Sequence, residues 1–334
     1  MKILIIQKKF MGDVLVTSTI LPLLKKKYPQ AEISFLLDEK HAQILIGNPY
    51  VNHVIFFKDS MINTLADIKR QKFDLVIDLY SKIETGIITL FSGAKTRIGF
   101  LKKYTQFFYN FPVKRDKKLK SKNTTLGIEH RLLMLEPLQI QFQEVFPKVY
   151  LLEEEVNNAH KILAENGLSS HDNLVMISTF GSSEEKTYPI EYMAELLEYI
   201  AYYKPDAKIL CNYLPSQKGL FEKLLTLISP NTKKLIIKNF DTRNLREFAS
   251  VTSLCKCLIG NEGGATNLSK ALDIPTFTIF SPHIQLSDWA WSSNPEMDRF
   301  LHITNFVPDS KTYSDFKPSF LKNDLEEFLD KTLV

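Results

Sequence analysis

Cysteine is scarce: Cys211, Cys255 and Cys257 are the only three in 334 residues. Three thiols build no disulfide framework. Cys255-Lys256-Cys257 lacks the two-residue spacer and the second ligand pair of a zinc site, so no metal is expected. Long apolar runs are lacking too. None approaches the roughly 20 residues that span a bilayer. The N-terminal run "KILII" is broken by Gln7, Lys8 and Lys9, too short for a signal peptide. The reading is a cytoplasmic protein. The net charge of +4 is mild and does not by itself imply nucleic acid. No G-x-G-x-x-G, no P-loop and no D-x-D pair to hold a divalent ion on a sugar nucleotide is present, and no resident cofactor is expected.

What is present is an ordinary globular composition, 44% hydrophobic and 24% charged, in a chain long enough for two domains. Short runs rich in Ile, Val, Leu and Phe alternate with helix-length segments. "KILII" is followed by a helical segment over 13–27, then "ISFLL" (33–37), a helical stretch near His41–Ile46, and "VIFF" (54–57). A helix near Ile62–Gln71, "LVID" (75–78), another helix and "RIG" (97–99) complete the first half. Apolar runs of this kind suit strands covered on both faces, and the alternation reads as right-handed βαβ units. The pattern restarts with "NLVMIS" (173–178), "AKILC" (207–211), "KLIIK" (234–238), "KCLIG" (256–260) and "TFTIF" (276–280), with helices such as Ile190–Tyr203 and Ser216–Ile228 between them. The break, about 139–172, reads as a connector plus an exposed amphipathic helix. Two α/β domains with a cleft between them follow, and ligands of parallel sheets bind beyond the carboxyl ends of strands.

Three stretches carry chemistry. In "KKFMGDVLVTST" (8–19) a lone carboxylate, Asp13, stands behind Gly12 where a strand gives way to a helix. It is either a helix cap or a chemical group. In "CLIGNEGGATNLSKALDIPTFTIFSP" (257–282) a strand ends at Gly260 and Gly263-Gly264 open a helix over 265–272. The first amides of that helix have no internal partners and point out with the positive end of the dipole, a seat for a phosphate; a plain tight turn is the alternative. In "ISTFGSSEEKTYP" (177–189) the hydroxyls of Ser178, Thr179, Ser182 and Ser183 and the cation of Lys186 suit a diphosphate, or else form a solvated loop.

In this order and spacing the three stretches resemble glycosyltransferase family 9, the ADP-heptose:lipopolysaccharide heptosyltransferases. The N-terminal signature is "ILIIQKKFMGDVLVTSTILPLLKKKYPQAEISFL", with its Gly12-Asp13 pair, Pro22 in mid-helix and the "YPQAEI" exit. The middle signature is "STFGSSEEKTYP". The C-terminal signature is "GNEGGATNLSKALDIP", in which Glu262 stands for the family's usual Asp, Gly263 for its Thr or Ser and Asn267 for its His. The resemblance implies a GT-B fold, two Rossmann-like parallel-sheet domains facing a central cleft. The acceptor domain is expected at 1–155, the nucleotide-sugar domain at 156–316, and a C-terminal helix in 317–334 is expected to pack back on the first domain.

It also implies inverting, metal-independent transfer of a sugar, heptose by default, from ADP-heptose to a lipopolysaccharide core or related glycolipid. Asp13 is then the base that takes the acceptor hydroxyl's proton. A carboxylate suffices because that hydroxyl becomes acidic only as it bonds an oxocarbenium-like centre. Lys186 and the amides of Gly263, Gly264 and Ala265 would meet the growing charge of the diphosphate. Gly12, Ser178, Thr179, Ser182, Glu262 and Asn267 complete the expected substrate contacts. The basic and aromatic segment "KTRIGFLKKYTQFFYNFPVKRDKKLKSKN" (95–123) reads as a solvated loop or as the seat of an acidic or phosphorylated glycolipid at the inner membrane face, rather than a nucleic-acid surface. His130, where the family often has a histidine, is otherwise a helix-surface residue. Gln217, Lys218 and Glu222 lie where such folds contact a ribose. The rival readings are a transferase using another nucleotide sugar, a nucleotide-sugar epimerase of the same fold, and an inactive sugar-nucleotide-binding protein.

Overall fold

The computed structural model describes residues 1–237 and 242–333. The chain divides into two units, Met1–Tyr150 and Leu151–Val334. The expected boundary at 155/156 thus falls a few residues earlier. The terminal helix, Lys322–Thr332, belongs to the second unit, where Leu325, Phe328 and Leu329 join the core. Its apolar face finds cover there, against residues such as Phe277.

The first unit holds one six-stranded parallel sheet. Its strands are β1 Lys2–Ile6, β2 Glu32–Leu37, β3 His53–Phe56, β4 Leu75–Asp78, β5 Thr96–Phe100 and β6 Phe111–Val113, in the order β3-β2-β1-β4-β5-β6. Ile3, Ile5, Ile33, Phe35, Leu75 and Ile77 are fully buried, and so are Leu4, Ile6, Leu36 and Val76, which pack with Ile68 and Ile88 of two helices. Burial of successive residues, which point to opposite faces, is why these strands read as unbroken apolar runs.

The helix expected over 13–27 is two, Met11–Thr17 and Ile20–Lys27. Pro22 explains the break: its ring clashes with the carbonyl four residues back, at Ser18, so a continuous helix is excluded. Ser18 and Thr19 fill the joint by donating to the carbonyls of Leu15 (2.6 Å) and Val16 (2.8 Å). The stretch near His41 is a 3-10 helix, Glu39–Leu45.

The second unit holds a five-stranded parallel sheet. Its strands are β7 Leu174–Ser178, β8 Lys208–Asn212, β9 Cys257–Asn261, β10 Thr276–Ile279 and β11 Arg299–Leu301, in the order β11-β10-β9-β7-β8. "KLIIK" is not a strand. Pro230 opens a short helix, Pro230–Leu235, whose N-cap Ser229 accepts from Thr232 N, and among the described residues Ile236 alone forms a bridge to β8, at Ile209; Lys238 lies outside the described residues. The connector carries the helix Glu153–Glu165. It buries Ala159 and Leu163 and pairs Glu155 with Arg246 of the helix Leu245–Thr252, Nε to Oε1 at 2.7 Å. All three cysteines are free and buried.

Candidate active site

Each sheet has one place where the strand order reverses direction, and there adjacent loops part to leave a crevice. In the first unit it lies between β1 and β4, in the second between β7 and β9. The sequence-predicted residues fall at these two places.

In the first unit Asp13 follows β1. It is the third residue of the helix Met11–Thr17, whose N-cap is Phe10, so Asp13 is not the cap. Phe10 has φ +62 and is exposed, an unusual backbone for a bulky side chain, next to Gly12-Asp13. Asp13 Oδ1 accepts from Arg131 Nη2 at 2.5 Å. Arg131 comes from the helix Leu126–Leu133; its side chain is 12% exposed against 32% for Asp13. Its Nη1 donates to Gly127 O at 2.9 Å, one turn back. Nothing in the sequence reading pointed to Arg131, since an arginine in a helix is ordinary until its partner 118 positions away is known.

Cations gather beyond the ends of β4, β5 and β6. Lys102 Nζ donates to Ser81 O at 2.7 Å, and burial together with Arg115 and Lys82 pulls its pKa down. Arg115 lies over the Phe100 ring, 4.1 Å from its centroid, and senses the charges of Arg131 and Asp13. His130 meets Asp116 O at 2.7 Å; burial, with Arg115 and Arg131 nearby, favours its neutral form.

This segment is no free solvated loop. It contains β6, and Glu129, buried, accepts from Lys120 N (2.8 Å), Ser121 N (3.0 Å) and Thr124 Oγ1 (2.6 Å). Arg97 is structural, donating to the carbonyls of Phe108 and Ala94. Beneath lies Asp78, the last residue of β4, fully buried and pushed up to about 6 by desolvation, although Ser81 N (2.8 Å) and Tyr109 Oη (2.7 Å) donate to it.

In the second unit Asn261 joins the two loops that flank the crevice. Its Nδ2 donates to the carbonyls of Ser178 (3.0 Å) and Thr179 (2.9 Å), and its Oδ1 accepts from Tyr188 N at 2.6 Å. Gly260 makes the approach possible: at φ +130, a Cβ there would sit 2.4 Å from Ser178 O. Gly263 has φ +149, and Gly264, Ala265 and Thr266 begin the helix Gly264–Ala271, with Gly264 exposed and Gly263 and Ala265 half-buried. The helix start therefore presents free amides to solvent.

Lys186 is exposed at the end of a 3-10 turn, Glu184–Lys186. Glu262 is buried; desolvation raises its pKa, and the charges of Lys186 and Lys270 work the other way. Ser182 is exposed, but Ser178 and Thr179 are buried, and Thr179 Oγ1 turns to Ile177 O. These two hydroxyls are not presented at the surface; the contribution of the pair is the carbonyl edge that Asn261 holds. Asn267 spends its side chain inside the protein, giving Nδ2 to Gly263 O and accepting from Trp291 Nε1, both at 3.0 Å. Gln217 braces the Lys186 loop through Gly181 O at 3.0 Å.

A carboxylate with one oxygen fixed can accept a proton at the other. Free helix amides beside a lysine can stabilise a diphosphate as it leaves. Comparison with known proteins identifies the family. Residues 62–299 match the model of "Glycosyltransferase family 9 (heptosyltransferase)". The chain is 27% identical over 297 residues to lipopolysaccharide heptosyltransferase 1 of Campylobacter coli, covering 84% of each protein. It superposes on the Escherichia coli ADP-heptose lps heptosyltransferase II with a TM-score of 0.77 at 17% identity, over 99% of both chains. On the E. coli heptosyltransferase WaaC with ADP-2-deoxy-2-fluoro heptose the TM-score is 0.73 at 17% identity, over 98% of this chain and 99% of that one. These likenesses give the GT-B class of the two parallel-sheet units. The chain belongs to glycosyltransferase family 9, and it is a glycosyltransferase.

Proposed function

We propose that this enzyme is an inverting transferase that needs no metal ion and moves heptose from ADP-heptose to a lipopolysaccharide core or related acidic glycolipid. The observation that carries the reading is the turn at Gly263, whose backbone is opened to solvent at a helix start beside Lys186. Lys186 and the amides of Gly263, Gly264 and Ala265 hold the diphosphate and stabilise its charge as the glycosidic bond breaks. Asp13 takes the proton of the acceptor hydroxyl as that oxygen displaces the diphosphate from the anomeric carbon, a direct displacement that inverts the centre.

Heptose and ADP are the defaults because the relatives compared above carry those names. Lys102 and Arg115, cationic and half-exposed or exposed, suit phosphate groups of the acceptor. The exposed Tyr104 and Phe107 beside Lys103 suit contact with the inner membrane face; among the described residues no helix is long and apolar enough to cross a membrane.

A second reading keeps the chemistry and changes the donor. The residue that replaces the family histidine, Asn267, is committed to Gly263 and Trp291, so it does not reach a sugar in this form. A thermal-shift panel of ADP-, UDP- and GDP-sugars decides between them, since only binders raise the melting point. Release of ADP from ADP-heptose with a heptose-free core lipid then separates transfer from binding. If no nucleotide sugar stabilises the protein, both readings fall.

A further inference from the structure

We infer that Arg131 is a positioning residue for the proton transfer: it fixes one oxygen of Asp13 so that the other is held toward the acceptor hydroxyl. The inference rests on the reading of Asp13 as the base. Three observations carry it. The guanidinium bonds Asp13 Oδ1 at 2.5 Å, a short charge-assisted contact. The two side chains are unequally covered, Arg131 12% exposed and Asp13 32%, so the cation is fixed inside while the carboxylate has a solvent-facing side. Arg131 is itself oriented, by Nη1 on Gly127 O, while its Nε is buried with no hydrogen-bond partner among the described residues. A free aspartate rotates about two side-chain bonds, and a misplacement of 1 Å can cost about 100-fold in rate.

The test uses the full-length enzyme, ADP-heptose as donor and a heptose-free lipopolysaccharide core as acceptor. Arg131→Ala should lower kcat about 100-fold while the KM for ADP-heptose stays within about twofold of wild type. Millimolar guanidinium should restore at least about tenfold of the loss, which a purely structural defect does not allow. Arg131→Lys keeps the charge and loses the fork; it should fold as wild type by thermal melting and still lose kcat, so it carries the test if the alanine variant melts early. Wild-type kcat in Arg131→Lys and Arg131→Ala, or a loss confined to KM, overturns the inference and leaves Asp13 as the base untouched. No transfer by the wild-type enzyme overturns the base reading and this inference together.

Discussion

Trp291 donates its indole Nε1 to Oδ1 of Asn267 at 3.0 Å, and Asn267 passes the constraint on by donating to Gly263 O. The conformation of the glycine turn is thus tied to a fully buried tryptophan. Trp291→Phe removes the donor and leaves Asn267 Oδ1 unpaired. The expected cost is about 1–3 kcal/mol, read from urea denaturation midpoints. Weaker binding of a nucleotide sugar should accompany it, measured by calorimetry. Unchanged affinity would show that the turn keeps its shape unaided.

The Asp13–Arg131 pair separates charge from chemistry. Asp13→Asn still offers an oxygen to Arg131, so the protein should stay folded and transfer should stop. Asp13→Ala leaves Arg131 without a counter-charge. Because Asp13 is a third exposed, the cost should fall below that of a fully buried pair, about 1–3 kcal/mol. Equal melting temperatures for the two variants would contradict this account.

Asp78 predicts a pH dependence. Its folded pKa of about 6 lies above the usual carboxylate value, so between pH 4 and 6 the folded state binds more protons than the unfolded state. Stability therefore falls as pH rises through that window. Asp78→Asn is nearly isosteric and keeps an acceptor for Ser81 N. It should flatten the fall between pH 4.5 and 7 in urea titrations. An identical slope in wild type and variant would assign the dependence to other groups.

Glu129 holds the basic segment with bonds to Lys120 N, Ser121 N and Thr124 Oγ1. Glu129→Ala should free it. Trypsin should then cut at Lys117, Lys118 or Lys120 at least about tenfold faster than in wild type, because cleavage follows local opening. If the acceptor rests on Arg115, its KM should rise in the same variant while the donor KM does not.

The sheets were largely legible because most of their strands are buried on both faces and so appear as unbroken apolar runs; the edge strand β3 is largely exposed but is apolar from Val54 on. β6 and β11 were not. Each is a three-residue edge strand, Phe-Pro-Val and Arg-Phe-Leu, too short to show a pattern. "KLIIK" misled because its apolar residues suit a strand while Ser229-Pro230 upstream starts a helix that runs into them.

At the site, glycines and a carboxylate at strand ends were readable from local chemistry. Asn261, Arg131 and Glu129 were not, because each owes its role to a partner made adjacent by the fold. Thr179 shows the converse: a hydroxyl in the right stretch can face inward.

The buried cysteines give the enzyme a practical property. Desolvation pushes the Cys211 and Cys257 thiols up to about 12, and Cys255 upward as well. The thiolate is the nucleophile, so all three should stay silent toward maleimides in the folded protein. A cysteine introduced at exposed Ser182 would then be the sole labelling point, ready for a fluorophore that reports occupancy of the neighbouring turn without any prior removal of native thiols.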